Sequence, residues 1–162
     1  MSYEAVQAAA LSVFGRYGYR RTSMELIAHD AIAAAEAARR SGAPIADRLY
    51  DVLATKIDLF AGGVEAQFRA ELLAEAEVIA QDVMAAFESG YSTVVEATLK
   101  DARDELDLLD VVLSSHDAAA VLGDALAGIA GAKAEPAVLR TRLRQFAELT
   151  VRGLTSKPVP AR

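Results

Sequence analysis

Apolar residues recur every three to four positions along most of the chain, which is the spacing of one face of an α-helix. β-branched residues stand singly or in pairs rather than in alternating runs, so strands are not indicated. The clearest stripe repeats at i, i+3, i+4, i+7, i+8 and i+11 through Ala118, Val121, Leu122, Ala125, Leu126 and Ile129. The pattern predicts an all-α fold.

Capping residues and prolines mark where these helices begin and end. Two hydroxyl residues are each followed three positions later by an acidic residue, in the pairs Thr22–Glu25 and Ser114–Asp117. The sequence predicts helices from about Tyr3 to Tyr17, from Thr22 onward, over the alanine-rich run from His29 to Arg40, from Pro44 to Phe60, through Phe68 to Ile79, through Val83 to Leu99, from Ser114 to Ile129 and from Pro136 to Leu154.

Composition narrows the chemistry that the chain can perform. Of its 162 residues 53% are hydrophobic, enough for a buried core, and none is cysteine, which excludes disulfides, thiolate metal sites and a cysteine nucleophile. Two histidines, His29 and His116, are too few for a histidine-rich metal site. No apolar run approaches the ~18 residues of a membrane span. The N-terminus lacks the pattern of a signal peptide, so a cytoplasmic protein without a membrane partner is expected.

The segment from Ala8 to Ala28 resembles the N-terminus of the tetracycline-repressor-like (TetR) family of transcriptional regulators. It has the family's apolar helix ending in Phe14 and Gly15, a second glycine at Gly18, and the run Thr22-Ser23-Met24-Glu25-Leu26-Ile27-Ala28. The resemblance implies the first two helices of a DNA-binding helix-turn-helix, with double-stranded operator DNA as partner. It implies that the phosphate backbone is contacted by Arg20, Arg21, Thr22 and Ser23.

The chain departs from the family pattern directly after this segment. A tight turn, a recognition helix and a Tyr-x-x-Phe-x-x-Lys run are expected there, but the alanine-rich run beginning at His29 follows instead. In one alignment the missing run is Leu49–Phe60, displaced by an insertion. In the other, which we favour, the turn and the recognition helix are absent near Ala28–His29. The favoured alignment predicts a break in the structure at that point.

The favoured alignment divides the chain into two parts. Residues 1–28 would be an incomplete helix-turn-helix, and residues 29–162 would be a ligand-binding and dimerisation domain. The net charge is +1 for residues 1–28 and −7 for residues 29–162, within the total of −6. A basic DNA end on an acidic body agrees with this division, although so small a positive charge means little alone.

The resemblance also implies an effector cavity and a dimer interface in residues 29–162. A small, hydrophobic effector would lie among the middle helices, in a pocket lined by Tyr50, Leu53, Phe60, Phe68, Met84, Phe87, Tyr91, Val94 and Val95. The last two helices would pair with their copies as a four-helix bundle in a homodimer. The interface would contain Val121, Leu122, Leu126, Ile129, Leu139, Leu143, Phe146, Thr150 and Leu154.

Two function classes remain open. The first is a ligand-responsive DNA-binding regulator, acting as a repressor that a small-molecule effector releases from its operator. The alternative is a helical small-molecule-binding or dimerisation module that has lost DNA binding. An enzyme is not expected, because no nucleophile or acid–base group converges, and neither is a cofactor or a metal site. The carboxylates from Asp101 to Asp110 lack the spacing of a calcium loop and are predicted to form a solvated face.

Overall fold

The structure, a computed structural model, describes residues 21–22, 24–61 and 81–157. Within these ranges the chain consists of helices joined by turns and contains no strand, so the prediction of an all-α fold is confirmed. Among the described helices, none combines the length and the apolar character needed to cross a membrane. The helices are α1 (residues 24–39), α2 (Ile45–Ala61), α3 (Gln81–Asp101), α4 (Ser115–Ala130) and α5 (Pro136–Gly153).

Helix α1 is uninterrupted through the point where the family pattern is lost. Residues 24–39 are all helical, so no turn follows Ala28, and the predicted break at Ala28–His29 is wrong. Arg21 and Thr22 are also helical, so the helix does not begin at Thr22 as the capping pattern predicted. The alanine-rich run favours an uninterrupted helix, because alanine has the most favourable helix propensity and no glycine or proline interrupts the run before Gly42.

Helix α2 lies at the centre of the described fold and contacts α3, α4 and α5. Its fully buried side chains include Leu49, Val52 and Leu53, which recur at helical spacing. Burying a leucine contributes roughly 1.5–3 kcal/mol, so this stripe supplies much of the driving force for packing. Within the run from Leu49 to Leu59, the apolar side chains therefore belong to the core of the helical body.

Helix α1 packs across α3 at a glycine. A methyl group at Gly90 would lie 2.9 Å from Cδ1 of Ile32, closer than side chains ordinarily approach. Ala35, three residues farther along α1, is fully buried in the same core. The missing side chain at Gly90 therefore leaves room for the end of the Ile32 side chain against the backbone of α3.

The loop between α3 and α4 is held by the acidic segment that was predicted to be a solvated face. The side chain of Asp110, a residue with a φ of 65°, accepts hydrogen bonds from the Ser115 amide (2.8 Å) and from Arg103 (2.6 Å). Asp107 accepts hydrogen bonds from the Ser156 hydroxyl and, at 2.8 Å, from the Ser156 amide. These bonds hold the pKa of both carboxyl groups below its usual value. Two of the acids thus anchor backbone rather than only face solvent.

Candidate functional site

Arg21 is the predicted phosphate-contacting residue whose partners the structure describes. Its Nη1 lies 3.3 Å from Oδ1 of Asp82, at the start of α3, and a second bond joins Nη2 to Oδ2. Its Nε donates to Glu25 at 3.2 Å. The guanidinium in turn holds the pKa of the Asp82 carboxyl below its usual value. Arg21 is thus engaged by two carboxylates of its own chain.

The other predicted DNA contacts are only partly described. Thr22 is exposed on the same helical segment as Arg21. Arg20 and Ser23 lie outside the described residues. Helix α1 continues through residue 39 without a turn. The described residues from 24 to 61 therefore contain no recognition helix that follows a tight turn near Ala28.

The residues predicted to line the effector pocket lie mostly inside the core. Five are buried: Leu53, Phe87, Tyr91, Val94 and Val95. The rings of Phe87 and Tyr91 stack with centroids 5.8 Å apart, and the Tyr91 hydroxyl donates to the Val52 carbonyl at 2.9 Å. Burial raises the pKa of Tyr91 far above its ordinary value, so the phenol stays protonated. These side chains pack against one another, and the polar group of Tyr91 already has a partner.

The remaining predicted pocket residues do not form one site with that cluster. Tyr50 is half-buried under the guanidinium of Arg144, which lies 3.7 Å from the ring centroid and joins α5 to α2. Met84 is half-buried at the edge of the core. The side chain of Phe60 and the whole of Phe68 lie outside the described residues.

A buried lysine connects α2 to α3 beside the aromatic pair. Nζ of Lys56 lies 2.7 Å from Oε2 of Glu88 and 5.3 Å from the Tyr91 ring centroid. The ammonium therefore combines an ion pair with a cation–π contact. The sequence signal for this contact is a lysine within an otherwise apolar stripe of α2.

An open groove lies instead between α1 and α2, and we refer to it as the α1–α2 groove. Its volume is about 230 Å³, and its lining consists of Ile27, Asp30, Ala31, Ala34, Thr55, Asp58 and Leu59. None of the residues predicted to contact an effector is among them. Asp58 accepts a hydrogen bond of 2.8 Å from Arg140 of α5, and the Thr55 hydroxyl donates to the Val52 carbonyl at 2.7 Å. Sequence reasoning missed this site because its polar residues come from two separate helices.

Most residues predicted at the dimer interface are covered by their own chain. The buried ones are Leu122, Leu126, Leu139, Leu143 and Leu154, and the half-buried ones are Ile129, Phe146 and Thr150. The five leucines are buried within the described chain itself, and the homodimer interface stays a prediction from the sequence.

The outer faces of α4 and α5 carry exposed apolar residues, and Val121 among them is one of the residues predicted at the interface. Val121 is 54% exposed, Val138 42% and Leu149 69%. A shallow depression on α5 surrounds Val138 and is also lined by Ala137, Thr141, Arg142 and Gln145. Among the described residues, Leu26, Val111 and Val112 are exposed as well, on other parts of the surface.

The described residues contain no group of three histidine, aspartate or glutamate side chains that could hold a metal ion. Compared with protein-family models, with curated proteins and with solved structures, the chain gives no match. The relation to TetR regulators therefore depends on the residues from Ala8 to Ala28.

Proposed function

We propose that the protein is a ligand-responsive transcriptional regulator of the TetR type, a repressor that leaves its operator when a small molecule binds to the helical body. The observation that carries the proposal is the resemblance of Ala8–Ala28 to the family's DNA-binding end. The all-α body with α2 at its centre is compatible with it. Arg21 and Thr22, at the start of the described chain, are the phosphate contacts in this proposal.

The regulator acts as a homodimer in this proposal, because operator-binding repressors of the helix-turn-helix class bind two half-sites. The exposed outer face of α4 carries Asp117 and Asp124, and that of α5 carries Arg142 and Arg152. In a two-fold arrangement each acidic face can meet the basic face of the other copy. Leu149 and the other exposed apolar residues supply the buried contact.

A second candidate function is a helical small-molecule-binding or dimerisation module that does not bind DNA. The observation that favours it is the uninterrupted helix over residues 24–39, which leaves no room for a turn after Ala28. Base-specific contacts come from the recognition helix, so a chain without one would lose sequence discrimination first and keep only phosphate contacts.

Selection from a pool of random double-stranded DNA, followed by fluorescence anisotropy at low salt, separates the two functions. A regulator enriches one sequence and binds it more tightly than unselected DNA. In that case Arg21→Ala weakens binding and lowers the slope of log K against log salt by about one, because one phosphate contact is lost.

Arg40→Ala is the matched control, since Arg40 is exposed on the segment after α1 and pairs only with Glu36 among the interactions described. Its loss leaves the affinity and the salt slope nearly unchanged. A chain that enriches no sequence and binds all DNA equally weakly contradicts the regulator and supports the second function.

A further inference from the structure

The α1–α2 groove combines an apolar floor with polar groups of one kind. Its apolar lining comes from Ile27, Ala31 and Ala34 of α1 and from Leu59 of α2. Its polar lining comes from Asp30, Thr55 and Asp58. A volume of about 230 Å³ accommodates a small organic molecule rather than a single ion.

All three polar side chains offer hydrogen-bond acceptors to a ligand. The carboxylate oxygens of Asp30 and Asp58 act as acceptors only. The Thr55 hydroxyl directs its proton to the Val52 carbonyl and also interacts with the Tyr91 side chain, so it has no proton left to donate to a ligand. A molecule that satisfies the groove must therefore supply donors.

The charge balance of the lining selects the same kind of ligand. Arg140 neutralises part of the Asp58 charge through one bond of 2.8 Å to Oδ1. Asp30 lies 3.6 Å from Nδ1 of its neighbour His29, which compensates it only when protonated. The groove is therefore acidic when His29 is neutral, and an anionic ligand would be repelled from it.

We propose that the α1–α2 groove binds a small amphipathic organic cation, a protonated amine with an apolar body. The ammonium group donates to Asp30, Asp58 and Thr55, while the apolar body covers Ile27 and Leu59. A bare metal ion fits poorly, because the described lining contains two carboxylates and no third acidic or histidine ligand. This ligand would be the effector of the regulator described above, so its role, though not its binding, rests on the proposed function.

The groove also lies next to the polar contacts between α2 and α3. The Val52 carbonyl accepts a hydrogen bond from Thr55 in the groove and another from Tyr91 in the core. A ligand that hydrogen-bonds to Thr55 therefore perturbs α2 beside the Val52 carbonyl, which accepts the hydrogen bond from Tyr91 of α3. Binding at the groove can therefore change the packing between these helices, which an effector must do to change DNA affinity.

Titration of the full chain with 3-phenylpropylamine, followed by two-dimensional NMR, tests the proposal. This probe is protonated at pH 7, and we expect a Kd on the order of a millimolar, given its ten heavy atoms. Shifts are expected at Ala31, Ala34 and Thr55. The neutral 3-phenylpropan-1-ol is expected to bind about ten-fold more weakly, and 3-phenylpropanoate not at all. Equal binding of the amine and the alcohol overturns the proposal.

Substitutions in the groove separate charge from shape. Asp30→Asn and Asp58→Asn are each expected to weaken amine binding by about three- to ten-fold. Asp51→Asn is the matched control, because Asp51 is an exposed carboxylate on α2 outside the lining. Ala31→Leu keeps every charge, fills the groove and is expected to abolish binding. If the Asp51 variant loses as much affinity as the Asp30 and Asp58 variants, the amine binds through overall charge and the proposal is wrong.

The outcomes distinguish this proposal from the proposed function, because the titration contains no DNA. A chain that binds the amine as expected, without any change in DNA binding, keeps the groove and loses the effector role. A chain that binds operator DNA but shows no amine-induced shifts at the groove keeps the regulator and loses the groove. Melting temperatures of the variants, measured without ligand, show that each remains folded.

Discussion

Gly90 shows how a single absent side chain sets the distance between two helices. The glycine costs α3 about 0.5–1 kcal/mol relative to alanine, because glycine loses more conformational freedom in a helix. The packing nevertheless favours glycine at this position, because the Cβ of any other residue would lie 2.9 Å from Ile32 Cδ1. Close approach of α1 and α3 thus compensates for a weak helix former.

Gly90→Val is expected to destabilise the protein by about 1–3 kcal/mol, because the added methyl groups overpack the contact with Ile32. Ile32→Ala removes the opposing atoms, so the double variant is expected to be more stable than the sum of the single effects indicates. Urea denaturation of the four proteins measures this coupling. Strictly additive effects would show that the clash is relieved elsewhere and that Gly90 does not set the helix spacing.

At the scale of single elements, local signals predicted the helix ends that local chemistry determines. Ser114 caps α4 by accepting a hydrogen bond of 3.0 Å from the Asp117 amide, and Pro136 stands in the first turn of α5, both as predicted. Thr22 carried the same cap signal, but Arg21 and Thr22 are themselves helical. A capping motif marks the start of a helix only where the residues before it are not helical. The motif alone does not determine the conformation of those residues.

The predicted phosphate contact and the groove illustrate what such signals omit. Arg21 was identified from its place beside a motif, but its ion pair with Asp82 joins residues 61 positions apart. Asp30 and Asp58 likewise come together only because α1 and α2 pack side by side. Periodicity specifies which face of a helix is apolar and leaves open which helix covers it.

The anchor at the start of α4 gives the protein a predictable response to acid. The Ser115 amide and then Arg103 lower the pKa of Asp110 in the folded state. A lowered carboxyl pKa contributes stability that is present above the unfolded pKa of about 3.9 and is lost as the pH falls through the folded pKa. The loop before α4 should therefore loosen in acid.

Asp110→Asn is expected to lower stability at pH 6 and to have a smaller effect at pH 3, because pH 3 lies below the unfolded pKa of about 3.9, where part of the stability contributed by the carboxylate is already lost. Asparagine tolerates the positive φ of this position, so the variant changes charge without adding backbone strain. Urea midpoints at the two pH values provide the measurement. The control is Asp104→Asn, an exposed carboxylate on the same loop. An equal loss at both pH values would mean that the amide of the asparagine, rather than the missing charge, is responsible.

At the scale of the whole molecule, α4 and α5 each have an inner and an outer apolar face, and the described part of the chain covers only the inner one. Leu122 and Leu126 of the most conspicuous stripe are buried, whereas Val121 of the same stripe and Leu149 of α5 are exposed. A surface with exposed valine and leucine between acidic and basic residues is suited to self-association. The distinction between the two faces depends on tertiary packing and is testable.

Leu149→Asp is therefore expected to impair dimerisation, and Leu143→Asp to impair folding. Leu149 is 69% exposed, so the aspartate is tolerated in the monomer and dissociates a dimer built on the outer face of α5. Leu143 is fully buried, so an aspartate there introduces an unpaired charge into the core and costs more than about 4 kcal/mol, enough to unfold much of the protein. Sedimentation equilibrium at micromolar concentration measures mass, and circular dichroism measures helix content. We expect a folded monomer for the Leu149 variant and loss of helix for the Leu143 variant. A Leu149 variant that remains dimeric, or a wild-type chain that is already monomeric, would exclude the outer face of α5 as the dimer interface.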